Sequence, residues 1–260
     1  MLIDFHAHLY QDEVADKVIS RMEEFYGVRR RHDAIASSLL DSLERAGFDR
    51  AVVLPVLTKP EHIELNRWYA ELADCSDGKI VPFGGIHPEN SPDELDAFPK
   101  LGLKGIKLQP NAQRFYPDDP KMFPIYDRAQ ELGLIAVFHA GNEATGPPAE
   151  FSQPERFLPV LANFPELTVV LPHLGGYKAW DRVEALFASS NAYFDTAYLP
   201  GQIEEDLFLH LVEQIGIERV LFGTDFPFRD HAEELSWIEK TLGPRAAGRL
   251  HENAARLLGV

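Results

Sequence analysis

The chain has 260 residues, 45% of them hydrophobic and 25% charged, with a formal net charge of −16. That composition is that of a globular protein, and the length suits one α/β barrel. The acidic balance argues against nucleic acid and anionic membrane surfaces as partners.

The single cysteine, Cys75, excludes an internal disulfide. The N-terminus lacks a basic segment followed by an apolar run, and no stretch approaches the ~20 apolar residues of a membrane span. A cytoplasmic protein is the expectation, and a homodimer is the default from symmetry base rates.

Short apolar runs alternate with helical patterns. The runs predict strands at Leu2–Phe5, Arg50–Pro55, Ile80–Gly84, Gly105–Leu108, Ile135–His139, Thr168–Leu171, Ala192–Asp195 and Val220–Gly223. Most are apolar throughout, as in a parallel sheet covered on both faces. Helices are predicted at Ala34–Ala46, Glu61–Ala73, Pro120–Leu132, Pro154–Asn163, Ala179–Ser189, Glu204–Ile215, Ala232–Leu242 and Pro244–Leu258. Eight strands alternating with helices predict a single-domain (β/α)8 TIM barrel over residues 1–260. Two connections are long: Leu9–Asp33, with an extra helix and the basic run Arg29–Arg31, and Gly141–Ser152, rich in Gly and Pro. Loops after barrel strands are where substrate contacts form.

Four of the ten histidines fall at or just past predicted strand ends: His6, His8, His139 and His173. Asp225 follows the last strand. Strand residues at i and i+2 share a side, so His6 and His8 can meet one ion at the barrel mouth. Imidazole and carboxylate are usual ligands of divalent metals. His6, His8, His139 and Asp225 therefore form a candidate metal set with coordination space left over. Each alone has a plainer reading: a core or surface histidine, or for Asp225 a helix N-cap. Their shared position at one end of the strands favours the metal.

The motifs Asp4-Phe5-His6-Ala7-His8, Gly105-Ile106-Lys107-Leu108-Gln109-Pro110, Phe138-His139-Ala140-Gly141, Pro172-His173-Leu174-Gly175-Gly176, Gly223-Thr224-Asp225-Phe226-Pro227 and Asn253–Gly259 run in order along nearly the whole chain. The sequence they carry resembles the amidohydrolase superfamily, in the branch of aminocarboxymuconate-semialdehyde decarboxylase-like proteins. The resemblance implies one divalent ion on His6, His8, His139 and Asp225, with His173 beside its water as general base or acid. Zinc fits the nitrogen-rich set, and manganese, iron or cobalt fit it too.

Lys107 shares a strand face with Gly105 and Gln109, which turns it toward the barrel interior. In binuclear members of the superfamily a carboxylated lysine bridges two metals, and the alternative here is Lys107 and His173 as ligands of a second ion. In the decarboxylase-like branch it stays an ammonium and binds a substrate anion, the reading preferred here. His87, Arg114 and Arg229 are further candidates for substrate contact, against loop capping or surface solvation. Tyr177 and Trp180 are candidates for a pocket wall, against packing.

The first expectation is a metal-dependent hydrolase of a small carboxylate-bearing ester, lactone or amide, using Asp225 and His173 around activated water. The alternative is a non-oxidative decarboxylase of an unsaturated or aromatic acid, with a hydratase behind both. A barrel that binds metal without turnover is the reading from outside enzymology.

Overall fold

The computed structural model describes residues 1–260 and forms the expected (β/α)8 barrel. Its strands are β1 (Ile3–Ala7), β2 (Arg50–Val53), β3 (Ile80–Pro82), β4 (Gly84–Gly85), β5 (Gly105–Leu108), β6 (Ile135–Phe138), β7 (Val169–Leu171), β8 (Tyr193–Asp195) and β9 (Val220–Leu221). All neighbouring pairs are parallel.

Nine strands make eight staves because β3 and β4 are two halves of one. β3 pairs with β2 and β4 with β5, and the two halves meet at Phe83. Pro82 has no N–H to give to the ladder, which explains the interruption there. The ring closes between its ends: Phe5 N–H donates to the Phe222 carbonyl at 2.8 Å and His8 N–H to that of Phe226 at 2.7 Å.

Two apolar layers lie on either side of the staves. Inside, Phe5, Val52, Leu54, Val81, Phe83, Val137, Val170 and Leu221 meet across the barrel, and Ala254 and Leu258 plug its lower end. Outside, Ile106, Leu108, Phe138, Phe194 and Phe222 face the helices. Each such side chain contributes about 1.5–3 kcal/mol on full burial. This double coverage is why the strands read as continuous apolar runs.

The helices are α1 (Asp12–Tyr26), α2 (Ala36–Ala46), α3 (Asn66–Cys75), α4 (Pro110–Gln113), α5 (Phe123–Glu131), α6 (Leu158–Asn163), α7 (Val183–Phe187), α8 (Glu205–Ile215), α9 (His231–Leu242) and α10 (Pro244–Leu258). α10 matches its expected bounds. The segments expected to begin at Glu61, Pro120, Pro154 and Ala179 start instead with 3₁₀ turns, Pro60–Leu65, Pro120–Met122, Pro154–Phe157 and Trp180–Arg182. No helix is long and apolar enough to cross a membrane.

Candidate metal centre and cavity

Simple alternation does not carry β1 to its end. Ile3 and Phe5 point into the barrel, so an unbroken strand would turn His6 outward. The β1–β2 register slips between Asp4 and Ala7. This bulge re-aims the strand, so His6 follows Phe5 inward and His8 stays in phase with it. Asp4 holds the bulge: its Oδ1 accepts the N–H groups of His6 and Thr224, both at 2.9 Å, and its Oδ2 the Thr224 hydroxyl at 2.6 Å. One buried carboxylate thereby fixes the histidine strand and the residue before Asp225 together.

The hydrogen bonds then assign the protons. His6 Nδ1–H donates to Asp195 Oδ2 at 2.8 Å, and His8 Nδ1–H to the Leu54 carbonyl at 2.7 Å. In the neutral rings both Nε2 atoms are left as bare acceptors. They face each other at 3.1 Å, and Asp225 Oδ1 lies 3.6 Å from His6 Nε2 and 3.2 Å from His8 Nε2. The three ligand atoms fall within 4.8 Å of one another. Tetrahedral ligands bonded at about 2.0–2.2 Å sit roughly 3.3–3.6 Å apart. Three acceptors converging at that spacing with no donor between them fit a divalent cation. Burial and the Lys107 charge keep His6 neutral.

His139 departs from its expected place. It lines the same cavity, but its Nε2–H donates to the Asn142 carbonyl at 3.2 Å and it stands outside the tight trio. Burial and Lys107 lower it to about 4, so it too is neutral.

His173 sits between these groups, its ring 5.3 Å from that of His6 and 5.0 Å from that of His139. Its Nδ1–H donates to the Ala197 carbonyl at 2.8 Å, which leaves Nε2 toward the cavity. Its backbone is left-handed (φ 55°), as is that of Leu174 (φ 56°). Two such residues in a row are strained. The turn is pinned by His173 N–H donating to Asp195 Oδ1 at 2.9 Å and by Trp180 Nε1–H donating to the His173 carbonyl at 2.9 Å. Burial lowers the His173 imidazole.

Asp195 was not singled out in the sequence, yet it is fully buried and links His6, His173 and Ala197. Burial pushes its carboxyl up, against the pull of these donors. Gly223 leaves room for it: a Cβ there would lie 3.0 Å from His6 Cβ and 3.3 Å from Asp195 Cγ. Glu143 was also missed. Its Oε1 accepts from Asn111 Nδ2 at 2.6 Å and lies 3.7 Å from His139 Nε2.

Lys107 is buried and faces the cavity, as its strand phase predicts. Burial lowers its ammonium to about 8, and Asp195, Asp225 and Glu143 oppose this through space, without a hydrogen bond.

The cavity above these groups measures about 650 Å³. Tyr177 lines it, with its hydroxyl donating to Gln202 Oε1 at 2.8 Å. Four other candidates do not line it. His87 caps its own loop, accepting Glu89 N–H at Nδ1. Arg114 is exposed at the end of α4. Arg229 Nη2 donates to the Pro200 carbonyl and its guanidinium lies 4.1 Å from the Tyr198 ring, behind the wall. Trp180 serves the His173 turn as described.

The amidohydrolase family model matches residues 3–260. The chain belongs to the amidohydrolase family. It is therefore an enzyme of that family, and the motif resemblance read from the strand ends holds. The 2-amino-3-carboxymuconate-6-semialdehyde decarboxylase of Dictyostelium discoideum is 26% identical over 204 residues, 63% of this chain but 55% of that protein. This match thus spans little more than half the length of that relative. A TIM-barrel protein of Bordetella bronchiseptica superposes with a TM-score of 0.80 at 22% identity, covering 99% of this chain and 98% of that one. A dihydroxybenzoic acid decarboxylase of Polaromonas sp. JS666, solved with bound manganese and the inhibitor 2-nitroresorcinol, gives 0.75 at 17%, covering 99% and 96%.

Proposed function

We propose that this enzyme is a metal-dependent, non-oxidative decarboxylase of an aromatic or unsaturated carboxylic acid. The observation that carries the reading is the pairing of a three-acceptor cluster with one buried cation, Lys107, in the same apolar-walled cavity. The decarboxylases among the relatives turn that pairing toward carbon–carbon cleavage, the alternative read from the sequence, rather than toward the hydrolysis expected first.

His6, His8 and Asp225 would hold one divalent ion; His139, whose Nε2–H donates to the Asn142 carbonyl, would join them as a fourth ligand only by giving up that bond and its proton. Manganese, the ion bound in the Polaromonas relative, stands beside zinc as the metal to load. When bound, such an ion would supply Lewis acidity toward an anionic substrate oxygen. Lys107 remains an ammonium and binds the carboxylate. Apolar walls strip water from that carboxylate.

His173 Nε2 takes the proton of a hydroxyl next to the carboxylate and delivers it to the carbon bearing it. The carbon–carbon bond breaks with its electron pair entering the unsaturated system, CO2 leaves, and the resulting oxyanion takes one proton from solvent. Asp195 keeps His6 in the tautomer that presents Nε2 and pins the His173 turn.

The test is to incubate manganese- and zinc-loaded protein with 2,6-dihydroxybenzoate, 5-carboxyvanillate and unsaturated carboxylic acids, measuring CO2 and product mass. Loss of 44 mass units, abolished in His173→Ala, is the result expected from the loss of one CO2. Products that gain the elements of water from lactones or esters, with no CO2 from any acid, would return the enzyme to hydrolysis.

A further inference from the structure

α1 carries two apolar stripes. Ala15 and Ile19 are buried against the barrel, with Ile19 packed beside Ala34 and Phe228. Val14, Val18, Met22 and Tyr26 recur every four residues, so they form one slanted ridge on the helix. All four line the cavity. Val14 remains 41% exposed, and the other three are half-buried. Leu57 and Leu65 line the cavity as well. The far end of α1 leans on the other long loop, where a side chain at Gly27 would collide with Thr145.

This ridge is more apolar surface than the catalytic groups require. At roughly 30 Å³ per heavy atom, as in a condensed liquid, 650 Å³ takes about twenty heavy atoms. A single-ring acid of about ten fills about half. The cavity has one lysine, Lys107, at its base and the exposed carboxylates Glu61 and Glu64 in its wall. A second anionic group near those two would be repelled.

We infer that the substrate is a monocarboxylic acid with an uncharged apolar arm of roughly ten heavy atoms, its head at Lys107 and its arm along the α1 ridge. This rests on the decarboxylase reading for the placement of the head. It goes further in naming the arm, and in excluding a remote second carboxylate.

The test is calorimetric binding of benzoate, 4-butylbenzoate and 4-hexylbenzoate, and of a benzoate whose hexyl arm ends in a carboxylate, to the metal-loaded enzyme. Burial of the arm predicts about fourfold tighter binding per methylene. The terminal carboxylate is expected to lose at least roughly tenfold against hexyl. Val18→Gln and Met22→Gln should each flatten the series to under about twofold per methylene. Val14→Gln, at an exposed helical position that folding does not depend on, should reduce the slope in the same direction. Lys107→Met should weaken every member alike and leave the slope intact.

A flat series in the wild type overturns the inference, as does a slope that survives in all three α1 variants. So does a dimer in sedimentation that Val14→Gln dissociates, because the ridge would then belong to a second copy of the chain. Turnover separates this from the reading beneath it. CO2 release with a flat series sinks the arm alone, and a steep series with no CO2 from any acid sinks the decarboxylase.

Discussion

Replacing Asp195 by Asn leaves the shape of the site almost unchanged but inverts one hydrogen bond. The carboxylate now accepts from His173 N–H, Ala197 N–H and His6 Nδ1–H. An amide can keep its oxygen toward the two backbone donors, which are 2.9 and 3.0 Å away. Its NH2 then points at His6 Nδ1, and that ring must move its proton to Nε2, the atom facing His8 and Asp225. A protonated Nε2 cannot coordinate a metal. Loss of such an orienting partner costs about 10- to 100-fold in metal affinity, or about 1.4–2.7 kcal/mol. Competition with a fluorescent chelator measures it. The melting temperature of the metal-free protein should move little, because both backbone hydrogen bonds persist. Unchanged metal affinity in Asp195→Asn would refute the tautomer assignment, and with it the reason offered for three bare acceptors meeting.

Three further outcomes are expected. Elemental mass spectrometry should find about one divalent ion per wild-type chain and almost none in Asp225→Ala; two per chain would move Lys107 and His173 into a second metal site. The Lys107 charge, lowered by burial to about 8, is present below that pH and lost as pH rises through it. KM for a carboxylate substrate should therefore climb between pH 7 and 9, whereas Lys107→Met should start about 10- to 100-fold higher and lose that climb. Gly141 has φ 94°, and a Cβ there would sit 2.1 Å from Tyr177 N. Gly141→Ala should thus cost about 2–4 kcal/mol in a denaturant titration by forcing apart the loops that carry His139 and His173.

The staves were legible because both of their faces are buried, and His6, His8, His173 and Asp225 because chemistry-bearing residues ended apolar runs. Asp195 ends such a run too, but one aspartate after a strand looks the same in sequence whether it caps a turn or orients a histidine 189 positions away. The β1 bulge was invisible for a related reason. Counting by twos from His6 gives the right partner in His8, but it puts Phe5 on the wrong face, and only the slipped register reconciles them. His139 shows the limit of placing a residue without its rotamer: the strand delivers it to the mouth, and the Asn142 carbonyl then claims its nitrogen. Arginines were poor guides, since Arg114 and Arg229 follow the right strands and turn away from the cavity.

The closure of the ring through Asp4 and Thr224 spans 220 positions of sequence. Two histidines of the first stave wait for an aspartate that follows the last. A ribosome that stalls before residue 225 releases a chain without the trio, and a chain whose last stave has not docked lacks it as well. Metal uptake at the proposed site would thereby be tied to one of the most non-local contacts of the fold. Retention of an added ion at that site would then certify that the first and last strands have met.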